Sequence, residues 1–175
     1  MKMDLRELVQ ISLLLGAGFV LRLIIPGYGA GMKPDVMLIM LFIIIFMKRE
    51  FSSTLAAGMV AGLIAALTTN FPAGQIPNII DKSITSIFVL VLVKMFADKV
   101  PNVLSLGVIG FIGTIFSGTV FLTSALLLTG IPAPFMVLFS TVVIPAAIIN
   151  TVGIVVLYPI VTFSKNVVVS ARTNA

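Results

Sequence analysis

Apolar positions in this chain do not alternate with polar ones; they gather into six runs separated by short polar or Pro/Gly-rich stretches. Runs near or above the ~20 residues that cross a bilayer as a helix predict an all-α, polytopic membrane protein, not a sheet. The expected spans are approximately 8–25, 33–49, 51–69, 78–96, 103–129 and 135–163. The second is the shortest, its apolar part running only from Val36 to Met47. Pro34 suits a first helical turn and Asp35 its positive end, so a helix from Lys33 to Arg49 reaches about 25 Å with its charged ends snorkelling. Ser52, Ser53 and Thr54 form a capping cluster before the third span, and Asn78 with Asp81 three residues on reads as the cap of the fourth. Pro145 lies well inside the sixth span, where it is expected to kink or break the helix near mid-membrane.

Composition agrees with that pattern. Of 175 residues, 59% are hydrophobic and 10% charged, against about 25% charged in a soluble domain, and the mean hydropathy is +1.24. Six spans consume about 120 positions, so residues 1–175 read as a single transmembrane domain. The 11 basic residues are distributed unevenly. Eight (Lys2, Arg6, Lys48, Arg49, Lys94, Lys99, Lys165 and Arg172) fall on one side, and two (Lys33 and Lys82) on the other, with Arg22 inside the first span. The positive-inside rule therefore predicts a multi-pass protein of the cytoplasmic membrane with both termini cytoplasmic and the 26–35, 70–78 and 130–134 connections outside. A net charge of +5 spread over loop ends is not a nucleic-acid patch. The absence of Cys and His removes thiolate and imidazole catalysis and the common zinc ligand sets, so no enzyme, metal or cofactor is expected. No G-x-x-x-x-G-K-[ST] loop occurs, so ATP-driven work needs another subunit.

The outer connections carry the candidate chemistry. Residues 68–78 pack Asn70, Phe71, Pro72, Gly74, Gln75, Pro77 and Asn78 between two spans, either as a rigid polar lip over a binding cavity or as an ordinary capped turn. Lys33 with Asp35, and Asp81 with Lys82, are either solvated pairs or the partners of a zwitterion. Arg22 is expected to snorkel outward; the alternative is that it turns inward to an anion. Asn150 needs a partner in its span, another helix or a ligand. Ser12 and Gly16, Gly58 and Gly62, and Gly110, Thr114 and Gly118 have the spacing that lets helices approach closely; the first pair also suits a docking face. Met37, Met40 and Phe42 read as core filler.

Two stretches, Gly31-Met32-Lys33-Pro34-Asp35-Val36-Met37-Leu38-Ile39-Met40 and Thr68-Thr69-Asn70-Phe71-Pro72-Ala73-Gly74-Gln75-Ile76-Pro77-Asn78-Ile79-Ile80-Asp81-Lys82, resemble the signatures of bacterial tryptophan transport proteins. The runs 117–122, 144–151 and 158–161 fit as well, so the resemblance covers nearly the whole chain. That family is grouped with the substrate-binding S components of energy-coupling factor (ECF) transporters, six-helix proteins that work with a membrane scaffold subunit and two ATPases. The resemblance implies uptake of L-tryptophan, membrane lipid around the bundle, and ECF scaffold and ATPase subunits as partners. It also implies that Ser12 and Gly16 match the scaffold-contacting positions. The implied ligand set is Lys33 or helix-start N–H groups for the carboxylate, and Asp35 or Asp81 for the ammonium. An oxygen of Asn70, Gln75 or Asn150 takes the indole N–H, and Phe71 stacks on the ring. Three alternatives stay open: a stand-alone secondary transporter, which an interior poor in charge makes harder to couple to protons; an S component for a vitamin or nucleobase; and a structural membrane subunit without a ligand.

Overall fold

The computed structural model describes residues 4–25, 34–96 and 102–173, and every regular element among them is helical. The helices are α1 (Leu5–Ile24), α2 (Val36–Lys48), α3 (Phe51–Leu67), α4 (Gln75–Phe96), α5 (Asn102–Leu128), α6 (Phe135–Leu138) and α7 (Ile144–Thr173). A π-helical turn, Phe139–Val143, joins α6 to α7 into one path. Three stretches among the described residues are long and apolar enough to cross a membrane: Leu5–Ile24, Val103–Leu128 and Phe135–Ser164.

The length puzzle of α2 is answered by its position. All residues from Val36 to Phe46 are buried, and the helix touches α1, α3, α4, α5 and α7. Thirteen residues give only about 20 Å of helix, too little for a ~30 Å hydrocarbon layer, but protein rather than lipid surrounds it. Its Asp35 carboxylate accepts the Leu38 N–H at 3.2 Å, and Arg49 closes the helix in the left-handed conformation at φ 52°. Met37 and Met40 fill the space beside Gly18 of α1, and the Phe42 ring and Val89 occupy the space beside Gly113 of α5. All four are core filler.

Small residues set the remaining contacts. A methyl group at Gly58 would overlap the Ser86 side chain, and one at Gly62 would press on the α4 backbone at Ile79, so α3 lies directly against α4. Gly110 admits Ile154, and Gly118 admits Val143 of the π-helical turn. By contrast, Ser12 and Gly16 face away from the bundle, with nothing within 4 Å of a methyl group built on Gly16.

Three local expectations are corrected. Helix α3 begins at Phe51 after an N-cap Glu50 that makes no side-chain cap bond, so the Ser52–Thr54 cluster lies inside its first turn. There, Ser53 donates to the Glu7 carboxylate of α1 at 2.5 Å instead of capping. Helix α4 begins a turn earlier than Asn78, because Pro77 is harmless in a first turn, where its missing N–H has no intrahelical partner to lose. The Asn78 amide group donates back to the Gly74 carbonyl at 2.7 Å. Pro145 does not break its helix. The preceding turn widens to the π form, with the Ile144 N–H reaching the Phe139 carbonyl, which takes up the proline ring and its lost donor while the path continues.

Candidate functional site

A cavity of about 580 Å³ opens between α1, the start of α2, the 68–74 lip, α4, α5 and the π-helical turn. That lies inside the roughly 300–1,000 Å³ range of small-molecule sites. The lip is tied locally: the Phe71 N–H donates to Thr69 Oγ1 at 3.2 Å, the Gly74 N–H to the Phe71 carbonyl at 3.0 Å, and Ala73 holds a left-handed φ of 52°. A non-glycine residue in that region is uncommon, so these bonds fix the lip in one shape.

One wall carries four charges in alternating order. Arg22 Nη1 lies 3.3 Å from Asp35 Oδ1, Asp35 Oδ2 lies 2.6 Å from Lys82 Nζ, and Lys82 Nζ lies 2.5 Å from Asp81 Oδ2. Thr85 donates to Asp81 Oδ1 at 2.9 Å, and Ser117 of α5 also bonds this carboxylate. Asp81 and Lys82 are each 1% exposed. Four charges in this order sum to zero, and each inner one has an opposite charge on both sides. The group therefore tolerates burial that none of its members would tolerate alone. The rest of the lining is largely apolar and aromatic. Phe71 meets Phe121 edge to face, with centroids 5.1 Å apart and planes at 81°, and Leu38, Leu122, Leu138, Val142 and Val143 complete it.

Asp35, Asn70, Phe71, Asn78, Asp81 and Asn150 all line this one cavity. Gln75 does not: at the first residue of α4 it is exposed and outside the lining. Lys33 lies outside the described residues. Arg22 is corrected, since it turns inward to Asp35 and does not snorkel outward: the Asp35 carboxylate at the start of α2 attracts the guanidinium with its second oxygen. Lys82 is not an outer-loop charge but the centre of the charge chain, so the interior is not poor in charge. Asn78 is engaged by the Gly74 carbonyl, while both polar atoms of Asn150 have no hydrogen-bond partner among the described residues. Thr114, Ser117, Gly118 and Phe121 complete the wall, although sequence reasoning assigned the first and third to packing and the others to no role. Their three-to-four-residue spacing on one face of α5 was the available signal. Among the described residues, no group of acidic side chains is placed to hold a metal ion.

Comparison with known proteins adds the last observation. The family profile described as "Tryptophan transporter TrpP" matches residues 4–166. A protein of Clostridium acetobutylicum named probable tryptophan transport protein is 45% identical over 168 residues, covering 96% of this chain and 98% of its own. One of the same name from Bacillus subtilis is 47% identical over 159 residues, covering 91% and 92%. A third, from Clostridium perfringens, is 39% identical over 166 residues, covering 89% and 91%. No solved structure matches the chain.

Proposed function

We propose that this chain, which belongs to the tryptophan transporter TrpP family, captures L-tryptophan from the outer side of the bacterial cytoplasmic membrane as the S component of an ECF-type transporter. The observation that carries the reading is the meeting of a neutral four-charge chain with an aromatic pair in one cavity. A tryptophan zwitterion is also neutral, with a carboxylate, an ammonium and a broad apolar ring. Its carboxylate faces Lys82 and Arg22, and its ammonium faces Asp81 and Asp35. The ring lies against Phe71 and Phe121, a contact worth about 0.5–1.5 kcal/mol beyond area burial. Asn70 stands at the mouth.

Three features support the S-component reading. Counted along the sequence, the basic residues fall mostly in the connections on the other side from residues 68–78, which by the positive-inside rule points the cavity outward. The chain contains no phosphate-binding loop, so sustained accumulation draws on an ATPase in trans. Ser12 and Gly16 leave a shallow, exposed track on α1 suited to a scaffold subunit. One observation favours a second reading, the stand-alone secondary transporter: a buried chain of carboxylates and cations is the kind of element that couples substrate to protons.

Calorimetric titration of the purified protein with L-tryptophan should give saturable heat. Proteoliposomes containing this chain alone should bind tryptophan without concentrating it, and added ECF scaffold and ATPase subunits with ATP should produce accumulation. Accumulation by the chain alone under a proton gradient establishes the secondary transporter instead, and heat with a vitamin but not with tryptophan overturns the substrate.

A further inference from the structure

We propose that Asn150 reads the ring edge of the bound substrate and sets the preference for an indole over other aromatic rings, an inference that rests on the cavity being a tryptophan site. Asn150 lies on α7, is 0% exposed and borders the cavity. Neither Oδ1 nor Nδ2 has a hydrogen-bond partner among the described residues. Other buried polar side chains of the wall are engaged: the Asn78 amide by the Gly74 carbonyl, the Thr114 hydroxyl by the Gly110 carbonyl, and Asp81 and Lys82 by each other. A carboxamide buried with both atoms unmatched is costly, and a helix–helix role would have supplied a partner.

The charge chain already balances itself, so it has no use for the amide. What remains is the far end of the ligand. The same cavity borders Asn150 of α7, so a ring whose head group sits at Lys82 and Asp81, packed on Phe71 and Phe121, has an edge to present there. Indole is the ring that carries an N–H donor there, and Asn150 Oδ1 is an acceptor without a donor. Benzene and thiophene rings offer none, and a phenol places its hydroxyl at a different point. Both amide atoms are buried, so the ring reaches them by displacing a neighbouring group. Rejection of rings without the N–H then follows from the buried acceptor that they leave unpaired.

The test compares L-tryptophan with β-(3-benzothienyl)-L-alanine, which replaces the indole N–H by sulfur at nearly the same size. Titration of the full-length protein should show tryptophan binding about tenfold or more tightly than the sulfur analogue. In Asn150→Leu, which keeps the branched shape but removes the amide, the two should bind within a few-fold of each other, with the loss falling on tryptophan. The same variant should melt at or above the parent's temperature, since an unmatched polar group has left an apolar site. Tryptamine and indole-3-propionate, which lack the carboxylate and the ammonium, should stay weaker than tryptophan in both proteins. An unchanged preference for tryptophan over the sulfur analogue in Asn150→Leu overturns the proposal. So does a variant in which the penalty for tryptamine or indole-3-propionate disappears instead, since Asn150 would then read the head group. A lower melting temperature with both ligands equally weakened assigns it to helix packing and also overturns the proposal. If the folded parent gives no heat with tryptophan, the substrate reading itself fails and this inference with it; tryptophan binding with an unaltered ratio removes the inference alone.

Discussion

Lys82 holds together three segments that are far apart in sequence. Its ammonium lies between Asp35 at the start of α2 and Asp81 on α4, and Asp35 in turn holds Arg22 of α1. Removing one partner of such a group leaves an uncompensated buried charge, a loss of about 3–5 kcal/mol, whereas removing a matched pair costs less. Lys82→Met should therefore lower the melting temperature sharply and abolish tryptophan binding. The double variant Lys82→Met/Asp81→Asn keeps the Arg22–Asp35 pair and restores neutrality, so it should melt higher than Lys82→Met alone. Thermal unfolding in detergent checks this non-additivity; equal or lower stability of the double variant would show that the charges do not act as one chain. Asn150 presents the opposite case, a buried carboxamide with no hydrogen-bond partner among the described residues.

At the scale of elements, the sixth span is where local chemistry and site meet. Pro145 removes a backbone donor, and the π-helical turn over Phe139–Val143 absorbs that loss. The same turn carries Val142 and Val143 to the cavity and seats Val143 in the notch left by Gly118. A proline in a helix interior costs about 3 kcal/mol relative to alanine. Pro145→Ala should thus leave stability unchanged or raise it, while relaxation of the wide turn to α geometry shifts the register of residues 135–143 by one position. Tryptophan binding should weaken several-fold, and circular dichroism melts with parallel titrations separate the two effects. Full affinity in a more stable Pro145→Ala protein would show that the turn does not shape the site. The contact of α3 with α4 depends in a similar way on Gly58, which lets Ser86 approach, and so fixes the rotation that turns Asp81 and Lys82 inward.

For the whole molecule, the distribution of charge sets the orientation. The order of spans along the sequence assigns eight basic residues to one side, and with Lys82 buried the other side retains even less loop charge than that count suggests. Both termini should then be cytoplasmic. The chain has no cysteine, so Met3→Cys and Arg172→Cys can be probed one at a time with a membrane-impermeant thiol reagent. Neither should label in intact cells and both should label after permeabilisation; labelling from outside would invert the topology and turn the cavity toward the cytoplasm.

The amino-acid sequence by itself determined the all-helical class, the approximate helix bounds, the polar lip and the family. Each of these depends on a run or motif within one segment: the length of an apolar stretch, a proline pair, a signature such as residues 68–82. Of the set it brought together, Asp35, Asn70, Phe71, Asn78, Asp81 and Asn150 border the cavity, Gln75 does not, and Lys33 lies outside the described residues. Only the tertiary structure decided how they are used. Whether Arg22 meets lipid headgroups or Asp35, whether Lys82 is a loop charge or the centre of a chain, and whether Asn150 finds a helix partner all depend on how each helix is rotated against its neighbours. That rotation is set by close contacts such as Gly58 with Ser86 and Gly118 with Val143, between residues tens of positions apart. One residue of helical rotation moves a side chain by about 100°, enough to exchange lipid for cavity, and no pattern along a single helix fixes it.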